Sequence, residues 1–293
     1  MKSAARDPDS PQWLKSVPFL AMHAIAIASP FVVRPSLRLL GLALGTYAVL
    51  MFGVTAGYHR YFSHRAFRTS RAFQLALAIL GGLSVQKGVL WWSAHHRHHH
   101  RYSDGPEDVH SPARRGFWWS HVGWILSERY DGTRLERVKD LARYPELRLL
   151  DRYALLAPAA WATGMYLAGG LPWLAFGFFI PVVLVWHVTF SINSVAHVLG
   201  RTRYETGDDS KNSFLLAVLT FGEGWHNNHH FYPSTANQGW FWWELDVSYY
   251  ALRALAALGI VWDLRLPPRR IRDGIAVSGE LLEPPVPDAA PGR

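Results

Sequence analysis

Cysteine is absent from this 293-residue sequence. Its absence excludes disulfide bonds, iron–sulfur clusters, rubredoxin-like metal sites and thiolate-ligated haem. If the chain carries out redox chemistry, its electrons must therefore come from another molecule. Charged residues make up only 18% of the chain, whereas 49% of residues are hydrophobic and fourteen are tryptophan. Such a composition predicts a membrane protein.

The sequence also lacks an internal repeat and a secretory cleavage pattern. Residues 1–15 are polar, and the apolar run that follows does not end at a small-residue cleavage site. We therefore expect this run to remain in the protein as a membrane anchor.

Four apolar runs have about the length, ~20 residues, that a helix needs to cross a bilayer. They are residues 17–33, 38–57, 153–169 and 172–196. Only Gly170 and Leu171 separate the last two runs, and Pro172 comes next, which predicts a helical hairpin. The stretch 72–92 contains polar side chains and ends in two tryptophans. We expect it to be an interfacial or buried helix and not a fifth span.

The net charge of +8 fits either nucleic acid or anionic lipid headgroups and acidic partners. Four predicted spans favour the second interpretation, so we expect no nucleic-acid partner. The segment from Arg60 to Arg152 carries over half of the basic residues. The positive-inside rule therefore places this side in the cytoplasm, although Arg34 and Arg38 in the first external turn count against it.

Three histidine clusters hold ten of the fifteen histidines. They are H-R-Y-F-S-H at 59–64, H-H-R-H-H-H at 95–100 and H-N-N-H-H at 226–230. Counting the spans places all three on the same side of the membrane. Neutral imidazole binds iron, copper, nickel and zinc. One tetrahedral ion takes four ligands and a six-coordinate ion at most six, so eight or nine imidazoles imply two ions close together.

The spacing within the second and third clusters is helical. Histidines at i, i+3 and i+4 share one helix face, and they are His96, His99 and His100, and again His226, His229 and His230. His59 and His64 stand five residues apart, so we expect the helix to end or distort near Ser63. His197 follows the fourth span and would reach the same layer.

The other histidines have simpler interpretations. Four of them have no partner at helical spacing, so we expect packing or hydrogen-bonding roles. They are His23 and His187 in the spans and His110 and His121 in the cap. His95 and His98 point off the face shared by the proposed ligands, so we expect them to support the ligands or to lie at the surface.

Together these motifs resemble one family. The strings are H-R-Y-F-S-H, W-S-A-H-H-R-H-H-H-R-Y-S-D, R-R-G-F-W-W-S-H-V-G-W, S-I-N-S-V-A-H and G-E-G-W-H-N-N-H-H-F-Y-P. In this order they resemble the membrane fatty acyl desaturases of the stearoyl-CoA (Δ9) type, in the bacterial-like form without a fused cytochrome b5 domain. The similarity covers roughly residues 15–265.

The resemblance implies an all-α integral membrane protein with four transmembrane helices. Residues 1–265 would form one module, in which a cytosolic helical cap, residues 58–152 and 197–265, encloses a di-iron histidine site. Residues 266–293 would be a Pro-rich, disordered tail. By the same resemblance the iron ligands are His59, His64, His96, His99, His100, His197, His226, His229 and His230. Asn193 would hold a metal-bound water.

The resemblance also implies a reaction, the O2-dependent introduction of a cis double bond, at Δ9, into a saturated acyl chain. Its cofactors would be two iron ions, with O2 as co-substrate and neither haem nor flavin. An external donor such as a ferredoxin, rubredoxin or cytochrome b5-like protein, with its reductase, would supply two electrons. We expect a multi-pass protein of a bacterial inner membrane, with the active site on the cytoplasmic side.

Substrate residues follow from the same resemblance. Gln86, Trp92 and Thr189 would line the bend of an acyl tunnel, with Tyr47 near its closed end, although Trp92 and Tyr47 fit equally well as interfacial or core aromatics. The animal enzymes contact CoA through residues that are replaced here by Lys87, Ala94 and His95, and we expect basic Lys87 to bind the substrate's headgroup instead. The carrier is therefore open between CoA, acyl carrier protein and a membrane lipid.

Two other functions fit the histidines. A di-iron hydroxylase acting on a lipid or alkane would use the same oxidant to insert oxygen. A membrane metal-binding or transport protein would also be rich in histidine. Transport sites are expected along the membrane pathway, whereas these clusters lie beyond the span ends.

Overall fold

Helices dominate the computed structural model, which describes residues 7–273. Three helices in this part of the chain are long and apolar enough to cross a membrane: Trp13–Val32, Leu37–Ser63 and Leu156–His197. The first is α1, Trp13–Val32, and most of its side chains lie on the outside of the molecule. The second begins as α2, Leu37–Phe52, and continues as a π-helix over Gly53–Ser63.

The π-helix brings together two histidines that stand five residues apart. In a π-helix each N–H bonds to the carbonyl five residues earlier, and the His64 N–H donates to the His59 carbonyl at 3.2 Å. The two rings consequently lie with their centroids 4.8 Å apart. The distortion predicted near Ser63 is present, and it begins already at Gly53.

The stretch 72–92 contains two helices instead of one. They are α3, Arg71–Gly82, and α4, Val89–Tyr102. Between them Val85 and Lys87 adopt left-handed backbone conformations, with φ of 57° and 62°, which end the first helix and turn the chain. The start of α4 is held by Asp151, whose carboxylate accepts the Trp91 backbone N–H at 2.9 Å. Because α4 starts at Val89 and ends at Tyr102, it contains the whole second histidine cluster, residues 95–100.

The third candidate span, Leu156–His197, is a hairpin. Its helix breaks at Gly169 and Gly170, and Gly170 has a φ of 64° that glycine adopts without strain. The Trp161 indole N–H donates to the Gly177 carbonyl at 3.0 Å, across sixteen residues of chain. A continuous helix would separate these two residues by about 24 Å. The chain therefore reverses at the glycines, close to the predicted turn.

Short helices form the rest of the molecule. After α4 come α5 Pro112–Arg115, a π-helical turn Trp119–Gly123, α6 Trp124–Leu126, a 3-10 turn Leu135–Arg137, α7 Lys139–Ala142 and α8 Pro145–Arg152. The hairpin consists of α9 Leu156–Leu174, a π-helical turn Ala175–Phe179, α10 Ile180–Ser194 and a 3-10 turn Val195–His197. It is followed by α11 Phe214–Leu219, α12 His226–Phe231, α13 Val247–Ala257 and α14 Arg269–Arg272.

The two segments predicted to form the cap share one core. Tyr58, Leu77, Leu90 and Leu147 from the first segment are buried in the same cluster as Leu252 from the second. Two short strands join the same segments, because β1, Arg68–Thr69, pairs antiparallel with β2, Val261–Trp262. The cap is therefore a single packed unit.

Part of the predicted disordered tail is folded. Ile271 of α14 is buried against Tyr204 and Trp240, and the Tyr204 hydroxyl donates to the Arg272 carbonyl at 2.5 Å. Residues 274–293 of the predicted tail, like residues 1–6, lie outside the described residues.

We expect Gly53→Ala to destabilise the protein. A Cβ at Gly53 would lie 2.6 Å from the backbone carbon and oxygen of Leu80, which cannot move without shifting α3. Overpacking of this kind costs about 1–3 kcal/mol. The thermal unfolding midpoint in detergent should fall. Gly45→Ala is the matched control because, in the described part of the chain, no packing neighbour lies within 4 Å of a Cβ added there; an equal fall in both variants would contradict the packing explanation.

Candidate metal centre

Nine histidines from distant parts of the chain meet in two adjacent groups. The first, here called the five-histidine cluster, contains His59, His64, His96, His100 and His229. The second, the four-histidine cluster, contains His99, His197, His226 and His230. Within each cluster the candidate ligand atoms lie within 4.8 Å of one another. These are the nine histidines expected as ligands, and the structure divides them between two positions.

Helices α4 and α12 each contribute to both clusters. In α4, His96 and His100 belong to the five-histidine cluster and His99 to the other. In α12 the division is reversed, because His229 belongs to the five-histidine cluster while His226 and His230 belong to the four-histidine cluster. The i, i+3, i+4 face thus lies across both clusters and keeps them adjacent.

The ring nitrogens within each cluster face one another. Four Nε2–Nε2 pairs lie close together: His59–His229 at 3.0 Å, His64–His96 at 2.8 Å, His100–His229 at 3.0 Å and His197–His226 at 3.0 Å. Two nitrogens bound at right angles to one ion, each at about 2.1 Å, would lie about 3 Å apart. Among residues 7–273, the buried Nε2 of His230 has no hydrogen-bond partner, so it is free to bind an ion. The imidazole donors and their spacing therefore fit one transition-metal ion in each cluster.

Carboxylates behind the rings orient four of the nine imidazoles. His197, His99 and His230 donate from Nδ1 to Asp104 at 2.9 Å, Asp108 at 2.9 Å and Asp208 at 2.6 Å respectively. The Nδ1 of His59 contacts Glu223 in the same way. Because Nδ1 carries the proton in each ring, the lone pair on Nε2 points into the cluster, which is the form that binds a metal.

Burial keeps most of the cluster imidazoles neutral. It lowers the pKa of His96, His100 and His229 well below the usual value of 6.5. Burial also lowers the pKa of His230 to about 4, although the nearby Asp208 carboxylate opposes this shift. Since a metal ion competes with protons for the same lone pairs, neutral rings are ready to bind it at pH 7.

Arg60 anchors the carboxylate behind His59. Its side chain is 0% exposed, and its Nη2 donates to Glu223 Oε1 at 3.0 Å. Its Nη1 donates to Asp246 Oδ1 at 2.9 Å. The histidine pattern did not reveal the role of Arg60. An arginine beside a proposed ligand at a span end could have indicated it, because a buried guanidinium requires acidic partners.

An apolar cavity lies beside the five-histidine cluster. Its volume is about 100 Å³. Phe19 of α1 and Trp186 and Phe190 of α10 form part of its wall. His96 lines the cavity as well as belonging to the cluster. An occupant of the cavity would therefore lie against a proposed metal ligand.

Four of the predicted substrate residues line this cavity: Gln86, Lys87, Trp92 and Thr189. The Gln86 amide donates to the Thr189 hydroxyl at 3.1 Å, which ties the segment before α4 to α10. Trp92 stacks on His96 with the ring centroids 4.8 Å apart. The cavity wall and the cluster are thus in direct contact.

The family model for fatty acid desaturases matches residues 36–265 of this chain. The chain belongs to the fatty acid desaturase family. The helices that are long and apolar enough to cross a membrane fit a membrane oxidoreductase of fatty acid metabolism. The histidine clusters are compatible with a metal site. The family expected from the motifs is confirmed.

Three relatives illustrate the range of named activities. The sn-2 palmitoyl-lipid 9-desaturase of Nostoc sp. (strain 36) is 38% identical over 264 residues, covering 86% of this chain and 90% of that protein. The chloroplastic palmitoyl-monogalactosyldiacylglycerol delta-7 desaturase of Arabidopsis thaliana is 36% identical, covering 89% and 71%. The icosanoyl-CoA 5-desaturase of Limnanthes douglasii is 35% identical, covering 86% and 72%. Because both carrier and bond position vary among them, the stearoyl-CoA type stays a prediction.

Tyr47 of this desaturase is not among the described residues that line the cavity. Its hydroxyl donates to the Leu219 carbonyl at 2.6 Å, and its ring meets the edge of Phe221 at a centroid distance of 6.0 Å. The structure therefore gives Tyr47 a contact between α2 and the segment around α11. Its role at a closed tunnel end stays a prediction.

Lys87 and Asn193 both line the cavity. The Lys87 ammonium pairs with Asp131, and Lys15 of α1 pairs with the same carboxylate at 3.1 Å. The Asn193 backbone carbonyl accepts the Ser120 hydroxyl at 2.6 Å, which holds α10 to the cap. The proposed ligation of a metal through Asn193 and a water stays a prediction.

His95 and His98 lie outside both clusters, where the sequence placed them. His95 hydrogen-bonds the Trp91 carbonyl at 2.9 Å, and His98 the Glu107 carbonyl at 2.9 Å. His110, by contrast, is not isolated. It is buried beside His99 and Asp108 in a third group of candidate ligand atoms. Helical spacing could not reveal this contact because the loop after α4 creates it.

Three further histidines form a hydrogen-bonded chain. His23 Nε2 lies 2.9 Å from His187 Nε2, and His187 Nδ1 lies 3.0 Å from His121 Nε2. His121 Nδ1 in turn lies 2.9 Å from the Ser194 hydroxyl. These hydrogen bonds join α1, α10 and the cap. The packing and hydrogen-bonding roles predicted for these residues agree with them, but their mutual contact was not predicted because they are far apart in sequence.

We expect His96→Ala to lower the metal content and His95→Ala to leave it unchanged. The first variant removes a nitrogen from the five-histidine cluster, whereas His95 belongs to neither cluster. Loss of one ligand should lower the metal bound per purified chain by about half, because ligand sets are finely matched to the ion. Elemental analysis of the matched pair measures this, and equal metal content in both variants would contradict the cluster assignment.

Acidification should destabilise the metal-free protein. Burial holds the pKa of His96, His100 and His229 below 6.5 in the folded state, so below pH 6.5 the unfolded chain binds more protons. Stability is then lost as the pH falls from 7 towards 5, by about 1.4 kcal/mol per pH unit for each such histidine. Tryptophan fluorescence during heating reports the unfolding midpoint. His100→Gln should flatten this pH dependence, and a midpoint independent of pH would refute the explanation.

Proposed function

We propose that the chain is an O2-dependent acyl desaturase that holds two iron ions in its two histidine clusters. It would insert a cis double bond, at Δ9, into a saturated acyl chain carried as a thioester or a lipid. The observation that supports this most is the shared wall of cavity and cluster, because His96 belongs to both. An acyl chain in this cavity would lie next to the metal ligands.

The chemistry requires a cofactor because protein side chains alone do not break an alkyl C–H bond. Bound in the two clusters, the irons would supply the oxidant from O2 and two external electrons. The nine imidazoles would hold them, and the carboxylates behind His59, His99, His197 and His230 would keep those rings oriented. The electrons would come from a ferredoxin, rubredoxin or cytochrome b5-like donor, since the chain has no cysteine for an iron–sulfur centre.

Position along the acyl chain would be set by the cavity. Every methylene is chemically alike, and a shift of one carbon moves the chain by only about 1 Å, so the walls must be rigid. The Gln86–Thr189 hydrogen bond and the stacking of Trp92 on His96 supply such a wall. The apolar lining would exclude water from the reacting carbons.

The rim of the cavity would receive the carrier. Lys87 lies in the cavity wall, and its ammonium, which pairs with Asp131, would offer the carrier a charged contact. Asn193, also in the wall, would hold a water molecule that belongs to the metal site. The relatives named for lipid-linked and for CoA-linked substrates have similar sequence identity to this chain. Sequence similarity therefore does not identify the carrier, and an experiment must.

In the membrane, the chain would cross four times. The hairpin at Gly169–Gly170 divides the third candidate span into two antiparallel segments, and a 42-residue helix is about twice the length that one crossing requires. Both clusters would then face the cytoplasm of a bacterium, where soluble electron donors are found. The abundance of basic residues between Arg60 and Arg152 supports this orientation.

Expression in a desaturase-deficient host tests the proposal. Cells with the wild-type chain should accumulate monounsaturated acyl groups, and mass spectrometry of the lipid and thioester pools should locate the double bond at carbon 9. His229→Ala removes a nitrogen from the five-histidine cluster and should abolish the product, whereas His98→Ala should retain it. Hydroxylated lipid in place of olefin, or unsaturation that persists in His229→Ala, would disprove the assignment.

A further inference from the structure

The carboxylates around the metal centre are distributed unequally between the two clusters. In the four-histidine cluster three of the four imidazoles are backed by a carboxylate: His99, His197 and His230. In the five-histidine cluster the one such pair among the described residues is His59 with Glu223. Two positions that look alike as sets of imidazoles therefore differ in electrostatic environment.

The carboxylates of the four-histidine cluster are buried and held as anions. The side chains of Asp104, Asp108 and Asp208 are 7%, 0% and 6% exposed. Each accepts further hydrogen bonds: Asp104 from the Ser111 hydroxyl at 2.6 Å, Asp108 from the Asp104 N–H at 2.8 Å and Asp208 from the Thr206 hydroxyl at 2.7 Å. Such donors favour the ionised form. Two cations lie nearby, and both contact backbone carbonyls instead of these carboxylates: Arg114 Nε donates to the Asp104 carbonyl at 2.9 Å, and the Lys211 ammonium lies 3.5 Å from the His197 carbonyl oxygen.

The single carboxylate of the five-histidine cluster is shared with a cation. Glu223 Oε1 accepts two hydrogen bonds from Arg60, which also pairs with Asp246. A second group of charges lies near the same cluster, in which Arg97 and Arg65 share one carboxylate, Asp140. The three carboxylates and three arginines of these two groups carry no net charge, whereas the three carboxylates of the four-histidine cluster, with Arg114 and Lys211 nearby, leave a net charge of −1.

A carboxylate hydrogen-bonded to a metal-bound imidazole makes the imidazole a stronger donor, and loss of such a partner typically weakens metal binding about 10–100-fold. Negative charge at close range in a buried site also favours the higher oxidation state of an ion. Both the hydrogen-bonded carboxylates and the negative charge are greater at the four-histidine cluster. Both favour tight binding of iron and its ferric form, so their effects add.

We propose that the two metal positions are unequal: the four-histidine cluster binds its iron more tightly and stabilises the ferric form more than the five-histidine cluster does. The positioning residues responsible are Asp104, Asp108 and Asp208. This inference rests on the proposed function only in that both clusters bind iron. It predicts that the four-histidine cluster binds iron first and is oxidised first.

Anaerobic titration of the metal-free, full-length protein with ferrous iron tests the order of loading. We expect two equivalents to bind in two phases whose dissociation constants differ at least about 10-fold. Asp208→Asn, which keeps the size and one acceptor oxygen of the side chain, should weaken the first phase about 10–100-fold. Glu223→Gln is the matched control and should weaken only the second phase. His96→Ala should remove the second phase and leave the first.

A redox titration followed by Mössbauer spectroscopy tests the order of oxidation. The ferric signal of a half-oxidised sample should match the iron that binds first, and Asp208→Asn should raise the potential of that iron alone. Circular dichroism of each metal-free variant shows whether it is folded. Asp104→Asn replaces Asp208→Asn if the latter does not fold, with the same result expected.

The outcomes are distinct. Two equivalents that bind in a single phase, or a first phase weakened by Glu223→Gln and not by Asp208→Asn, would overturn the inequality while leaving the proposed function intact. Failure to bind two equivalents under any condition would overturn the proposed function and, with it, this inference.

Discussion

The structure depends on holding nine imidazoles close together in a buried space, most of them neutral and four of them oriented by carboxylates. Without a cation between them, facing Nε2 atoms about 3 Å apart would repel one another or compete for too few protons. Burial lowers the pKa of His96, His100 and His229, and four carboxylates hold the proton on Nδ1 in the rings that they contact. The surrounding helices must then be rigid enough to hold this arrangement. The shared core of the cap, built from both of its segments, supplies that rigidity.

Departures from regular helix serve the same requirement. The π-helix Gly53–Ser63 aligns His59 with His64, which an α-helix would place on different faces. The left-handed residues Val85 and Lys87 end α3 and allow α4 to start where its histidines reach the centre. Conformations of this kind cost free energy and are typical of functional sites. Their energetic cost is offset by the packing around them, including the close contact of Gly53 with α3.

Side chains of the metal centre and of the cavity wall are in direct contact. Trp92 stacks on His96 and is joined to Gln86 and Thr189, so displacement of the cavity wall would displace a proposed ligand. On the other side, Arg60 connects His59 through Glu223 to Asp246 at the start of α13. Residues without any contact with substrate thereby influence the geometry in which substrate would react. The unequal carboxylates suggest that this outer layer also distinguishes one metal position from the other.

The sequence by itself determined the membrane character, a hairpin close to Gly170, which nine histidines come together, and the family. These features depend on composition and local spacing, as with the i, i+3, i+4 pattern of His226, His229 and His230. Tertiary structure decided how the histidines divide between two clusters, which carboxylates stand behind them, and that His110 lies beside His99. It also decided the partners of Arg60 and the chain from His23 to His121. Each of these depends on contacts between residues far apart along the chain, and local periodicity carries no information about such contacts.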